Sequence, residues 1–105
     1  MAVEYDLKFS GAAREDIESI NKYISEELCN PLAATALDQS FREALRRVCA
    51  NPHICPLVNN NFVKDATLRK LPVKNYIIFY RPDDILHEIQ VIRVLYGMRN
   101  FKDIL

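Results

Sequence analysis

The chain has only two glycines in 105 residues, Gly11 and Gly97, which practically excludes the glycine-rich loops that cradle nucleotide phosphates. It also lacks a nucleophile elbow and any pair of carboxylates at helical spacing in an apolar setting, so the common hydrolase signatures are missing. Its three cysteines, Cys29, Cys49 and Cys55, are odd in number and form no Cys-x-x-Cys pair, which argues against a disulfide framework or a zinc ribbon and for reduced thiols. Cys49, His53 and Cys55 do cluster, but their spacing fits no structural zinc pattern, and neither metal nor cofactor is expected. No apolar run approaches the roughly 20 residues needed to span a bilayer, and "MAVEYDLKFS" has no signal-peptide pattern; a cytoplasmic protein without membrane contact is expected. Internal repeats and low-complexity segments are absent as well.

What is present fits a single domain over residues 1–105, half of it apolar or aromatic, large enough for one modest core. Formal charge is zero, but unevenly spread. Residues 1–62 carry six basic and nine acidic side chains, and residues 63–105 carry eight and five, so any anionic partner is to be sought on the C-terminal half.

Alternation in "VEYDLKF" predicts a first strand with Val3, Tyr5, Leu7 and Phe9 on one face. Ser10 is placed to cap a helix whose apolar face runs through Ala13, Ile17, Ile20, Ile24 and Leu28, with Glu15 and Asp16 suiting its positive N-terminal dipole. "CNPLAA" opens a second helix, Asn30 capping and Pro31 at the first helical position, with Leu37, Phe41, Leu45 and Val48 as its buried stripe. Arg42, Arg46 and Arg47 read as its solvated side.

"NPHICPLVNNN" reads as a surface loop. Three β-rich segments follow, "TLRKL", "NYIIFY" and "HEIQVIRVL", with Pro82 and Asp83 expected in the middle of a turn. The expected fold is α+β: an N-terminal strand, a two-helix hairpin, then a three-stranded antiparallel meander, the helices packed on one face of the sheet. The last segment is apolar on both faces and belongs near the sheet centre, which makes Arg93 unusual, because a central strand rarely holds an unpaired charge.

The dense set of functional side chains is Arg69, Lys70, Lys74, Tyr76, Tyr80, Arg93, Tyr96 and Arg99, all on the meander or at its ends. Simple alternation puts Arg69 with Thr67 and Leu71, and Arg93 with Val91 and Leu95, so Arg69, Arg93 and Arg99 are candidates to line one surface. Guanidinium groups grip phosphate in pairs of hydrogen bonds and aromatic rings stack on bases, which would suit RNA. The competing reading is that Arg69 and Arg93 bridge carboxylates or helix ends while the tyrosines only pack.

Taken in order, "NPLAA", "LRKL", "NYIIFYRPDD" and "IRVLYGMRN" resemble the RelE/ParE superfamily of bacterial type II toxins over essentially the whole chain. The resemblance implies a growth-inhibiting toxin covered by a cognate antitoxin protein. RelE-type members cut mRNA in the ribosomal A site, and ParE-type members act on DNA gyrase without cutting RNA. Arg69 matches the basic residue of the second strand and Arg99 the one after the last strand. Where RelE has an arginine, this chain has Ile77; Tyr96 stands where related nucleases often place histidine; and "FKDIL" replaces a segment that carries a catalytic tyrosine. For a nuclease, Arg99, Arg69 and Tyr96 would be the catalytic set. For either activity Arg69, Lys70, Lys74, Tyr80, Arg93 and Arg99 are the target-binding candidates. Isoleucine cannot stabilise a phosphorane and a tyrosine hydroxyl is a poor base, so the balance favours a ParE-like, gyrase-directed toxin, with the ribosome-dependent mRNA endonuclease as the alternative.

Overall fold

A computed structural model describes residues 3–58 and 67–97. The elements follow the expected order: β1 (Asp6–Phe9), α1 (Gly11–Lys22), a π-helical turn (Tyr23–Glu27), α2 (Pro31–Ala50), β2 (Arg69–Val73), β3 (Tyr76–Asp83) and β4 (Glu88–Tyr96). The four strands form one sheet in the order β1-β4-β3-β2, antiparallel except that β1 runs parallel to β4. β4 is therefore interior, as its two apolar faces require.

Both helices lie on one face of the sheet. Ala13, Phe41, Ala44, Leu45, Val48 and Cys49 pack there against Leu71, Val73, Ile78, Tyr80, Ile89, Val91 and Val94. Burying each of the larger apolar side chains contributes about 1.5–3 kcal/mol. The opposite face carries a smaller cluster of Val58, Leu68, Phe79 and Leu95, with Ile77 and Ile92 half-buried against it.

The caps form as their residue types demand. Ser10 Oγ accepts the Ala13 N–H at 3.0 Å and Asn30 Oδ1 accepts the Ala33 N–H at 3.1 Å, each satisfying an orphan donor of a first turn. One expected face breaks before its end. The π-helical turn, closed by the Leu28 N–H on the Tyr23 carbonyl at 3.0 Å, adds a residue to the last turn and advances the helical phase, so Leu28 is 55% exposed rather than in the stripe.

One turn and one strand also depart from expectation. Pro82 and Asp83 remain in β3, paired with Ile89 and Glu88, and the reversal falls at Asp84–His87. Asp83 Oδ1 accepts the N–H groups of Ile85 and Leu86 at 3.0 and 2.9 Å, so the aspartate organises the loop from the last position of β3. Alternation in β4 is broken by a bulge opposite Phe79 and Tyr80: Phe79 pairs with Arg93 and Tyr80 with Val91, leaving Ile92 as the extra residue. Val91 consequently faces the helices while Leu95 faces away, so they do not share a face as alternation alone predicted.

The tight β2–β3 turn holds Lys74 at φ 56°, a left-handed conformation that costs an L-residue roughly 1–2 kcal/mol. Lys74→Gly is expected to raise stability by about 0.5–1 kcal/mol, the relieved strain being partly offset by glycine's larger unfolded-state entropy. Urea unfolding checks this, and a lower midpoint would show that the lysine side chain holds the turn.

Candidate functional site

The last strand is longer than its neighbour β1, and beyond Phe9 its outer edge meets α1 instead. Ser10 makes the junction: its N–H donates to the Val91 carbonyl at 2.9 Å and its hydroxyl to the Ile92 carbonyl at 2.7 Å. Asp16, in the second turn of α1, continues the same seam. Its Oδ2 accepts the Val94 N–H at 3.0 Å and Arg93 Nε at 2.7 Å, while Oδ1 accepts Arg93 Nη2 at 2.8 Å. This is a two-pronged carboxylate–guanidinium pair with side-chain exposures of only 13% and 24%. The Asp16 hydrogen bonds raise the Arg93 pKa, with burial acting against them.

Arg93 is thus half-buried and spent on α1, not presented to a target. Asp16 is the residue that sequence reasoning read only as a dipole partner. The available signal was a carboxylate one helical turn before Ile20 in a chain whose central strand carried an unexplained arginine.

Arg69 serves a different purpose from the one expected of it. At the start of β2 its Nη1 donates to the Cys55 carbonyl at 2.6 Å and its Nη2 to His53 Nδ1 at 3.2 Å, pinning the α2–β2 loop. Its Nε is buried and has no partner among the described residues. Leu57 bridges to Arg69, and Lys70 N–H donates to the Pro56 carbonyl at 3.1 Å, so the loop also covers the outer edge of β2.

His53 links this clamp to the far turn. Accepting from Arg69 at Nδ1 leaves Nε2–H to donate to Asp84 Oδ1 at 3.0 Å, and the Tyr5 hydroxyl donates to the same oxygen at 2.7 Å. The network runs Arg69–His53–Asp84–Tyr5, joining the loop, β2, the β3–β4 turn and the entry to β1. It was not foreseen because its members lie up to 79 positions apart.

Tyr80, expected to contact a target, is fully buried; its hydroxyl donates to the Pro52 carbonyl at 3.2 Å and burial pushes its pKa upward. It packs and cannot reach a partner. Tyr76 stacks edge-on with Phe41 and with Tyr96, ring centroids 5.9 and 5.7 Å apart, and burial likewise raises its pKa. Lys70, Lys74 and Tyr96 are exposed. Arg99 lies outside the described residues. Arg69 and Arg93 do not line one surface: Arg69 pairs across to Tyr80 of the helix-facing layer, and Arg93 to Phe79 of the opposite one.

The network gives a pH signature. Hydrogen bonds from Tyr5 and then His53 hold the Asp84 carboxyl below the usual carboxylate range. A carboxyl depressed in the folded state stabilises the fold above its unfolded pKa, and that contribution is lost as pH falls through the folded value. Thermal unfolding from neutral pH down through the carboxylate range is therefore expected to show a loss that is smaller in Asp84→Asn. Identical slopes would show that the exposed network does not contribute.

Among the described residues no helix is long and apolar enough to cross a membrane, and no group of three or more His, Cys, Asp or Glu is placed to hold a metal ion. No curated protein matches the chain significantly. The fold is shared with the chromosomal ParDE system of P. aeruginosa (TM-score 0.68, 18% identity, 89% of this chain and 96% of that one). It is shared also with the RelBE2 toxin–antitoxin complex of Mycobacterium tuberculosis (TM-score 0.63, 19% identity, 90% and 99%) and with the isolated E. coli RelE toxin (TM-score 0.59, 20% identity, 96% and 99%). The family model for the ParE toxin of the type II toxin-antitoxin system, parDE, matches residues 7–101, nearly the whole chain. The chain therefore belongs to the ParE toxin family, within the RelE/ParE superfamily of type II toxins.

Proposed function

We propose that this toxin inhibits growth by gripping a protein target, DNA gyrase, rather than by cutting mRNA. The observation that carries the reading is where the guanidinium groups are used. Cleaving RNA through its 2′-hydroxyl needs cations on the phosphorane and groups that take and give protons. Arg93 is neutralised by Asp16, and Arg69 is turned into the α2–β2 loop. At the position where the RelE resemblance calls for a further arginine, Ile77 is half-buried against the Phe79 and Leu95 cluster. Lys70, Lys74 and Tyr96 remain as exposed contacts suited to holding a partner, and Arg99 completes the proposed set.

A cognate antitoxin is the proposed second partner. The complexes named for the structural neighbours pair toxin with antitoxin. The exposed Tyr23, Leu28 and Leu32 of the helical hairpin, together with Tyr96, offer apolar surface for such a chain to cover.

Expression without antitoxin, with purified gyrase and a reconstituted translation system assayed side by side, tests the target. The expected outcome is inhibited gyrase with intact transcripts, relieved in Arg99→Ala while that variant keeps a wild-type unfolding transition. Transcripts cut in the ribosomal A site, with gyrase unaffected, would establish the RelE-like mRNA endonuclease instead.

A further inference from the structure

The sheet has two edges, and among the described residues only one of them is shielded. Beside β2, the Leu57 bridge and the Lys70 N–H bond to the Pro56 carbonyl lay the α2–β2 loop along the strand. The other edge is β1, with β4 on its inner side and no described strand on its outer side. Asp6 and Ser10 turn their N–H groups inward, to the His87 and Val91 carbonyls at 2.9 Å each, and Tyr5 turns its own outward, to the Cys49 carbonyl at 3.0 Å. By the same alternation Leu7 and Phe9 present both N–H and C=O outward, past the end of α2. An open edge of this kind is a template for another strand.

The side chains alternate as well. Tyr5, Leu7 and Phe9 pack at the rim of the core under the helices, whereas Asp6 and Lys8 are exposed on the other face. Among the described residues neither Asp6 nor Lys8 has an ion-pair partner. Asp6 sits beside Glu88 in the parallel register, a like-charge neighbour that a cation on its free side would relieve. Under the edge, a groove of about 600 Å³ separates β1 from α2. Tyr5, Asp6 and Leu7 border it in succession, as only the edge of a strand can, and Ile17, Phe41 and Leu45 supply apolar lining.

We propose that β1 pairs antiparallel with β1 of a second copy of this chain, about a two-fold axis through Leu7, joining the two sheets edge to edge. In that register Leu7 and its symmetry mate exchange a pair of hydrogen bonds, and Asp6 of each copy lies opposite Lys8 of the other. The Leu7 side chain of each copy is brought to the apolar groove of its mate. Charge selects this register. Moving the axis one residue either way sets Asp6 against Asp6 or Lys8 against Lys8, and like charges directly opposite one another are destabilising. Because the β2 edge is shielded, pairing through β1 closes at two copies instead of propagating. The self-pairing is independent of whether the toxin's target is gyrase or the ribosome, and its test involves neither.

Sedimentation velocity on the purified full chain over a concentration series, combined with residue-resolved amide hydrogen exchange, tests the proposal. A monomer–dimer equilibrium is expected, with exchange at the Leu7 amide slowing about tenfold or more as the dimer becomes populated. Lys8→Asp, which sets an aspartate against Asp6, and Asp6→Lys, which sets a lysine against Lys8, are each expected to weaken self-association by about tenfold or more. An equal mixture of the two variants is expected to dimerise again, because every aspartate then faces a lysine. Both positions are exposed, so each variant is expected to keep the unfolding midpoint of the dilute wild-type chain. A wild-type chain that stays monomeric, a dimer that persists unchanged in Lys8→Asp, or mixed variants that stay monomeric would each overturn the proposal. A Leu7 amide already protected in the dilute monomer would overturn it too, by showing that the chain covers its own edge.

Discussion

The Asp16 carboxylate is the point on which the arrangement of this toxin turns. It accepts three hydrogen bonds, two from the Arg93 guanidinium and one from the Val94 backbone, and so fastens the first helix to the central strand where that strand has lost its β1 neighbour. An arginine in a central strand is expensive unless its charge is met, and an unpaired strand edge is expensive unless its donors are met. One side chain answers both costs. The bulge at Ile92 makes this possible, because it brings Arg93 and the Val94 N–H to the same acceptor.

The consequence reaches function through charge. A superfamily fold that can carry arginines on an active edge here commits two of them to architecture, Arg93 to α1 and Arg69 to the loop that shields β2. Exposed lysines, tyrosines and apolar side chains remain on the described surface. Such a surface is better suited to holding a protein than to stabilising a phosphorane, and this links the internal ion pair to the proposed gyrase-directed activity.

The fold was largely legible in the sequence because each signal was local. The Ser10 and Asn30 caps, the Pro31 start, the Phe41–Leu45–Val48 stripe and the two-faced apolar β4 each follow from a few adjacent residues. Misreadings arose where one residue changed the phase, at the π-helical turn before Leu28 and the bulge at Ile92, and where β3 runs on through Pro82 and Asp83, two pairs beyond the turn signal. The site was less legible for a related reason. Whether Arg69 or Arg93 faces a target or the protein depends on partners at positions 53, 55 and 16, and no local pattern fixes those distances. Tyr80 shows the same limit, since a tyrosine in an alternating strand reads identically whether its ring is buried or presented.

If Asp16 and Arg93 hold α1 to β4 as a coupled pair, their contributions to stability cannot be independent. A double-mutant cycle by urea unfolding, using Asp16→Asn, Arg93→Met and the double variant, measures this directly. The expected coupling is about 2 kcal/mol, with each single substitution more damaging than the double one would suggest, because it leaves a half-buried polar partner unmet. Additive effects, with coupling near zero, would contradict the account and would return Arg93 to the list of side chains available to a target.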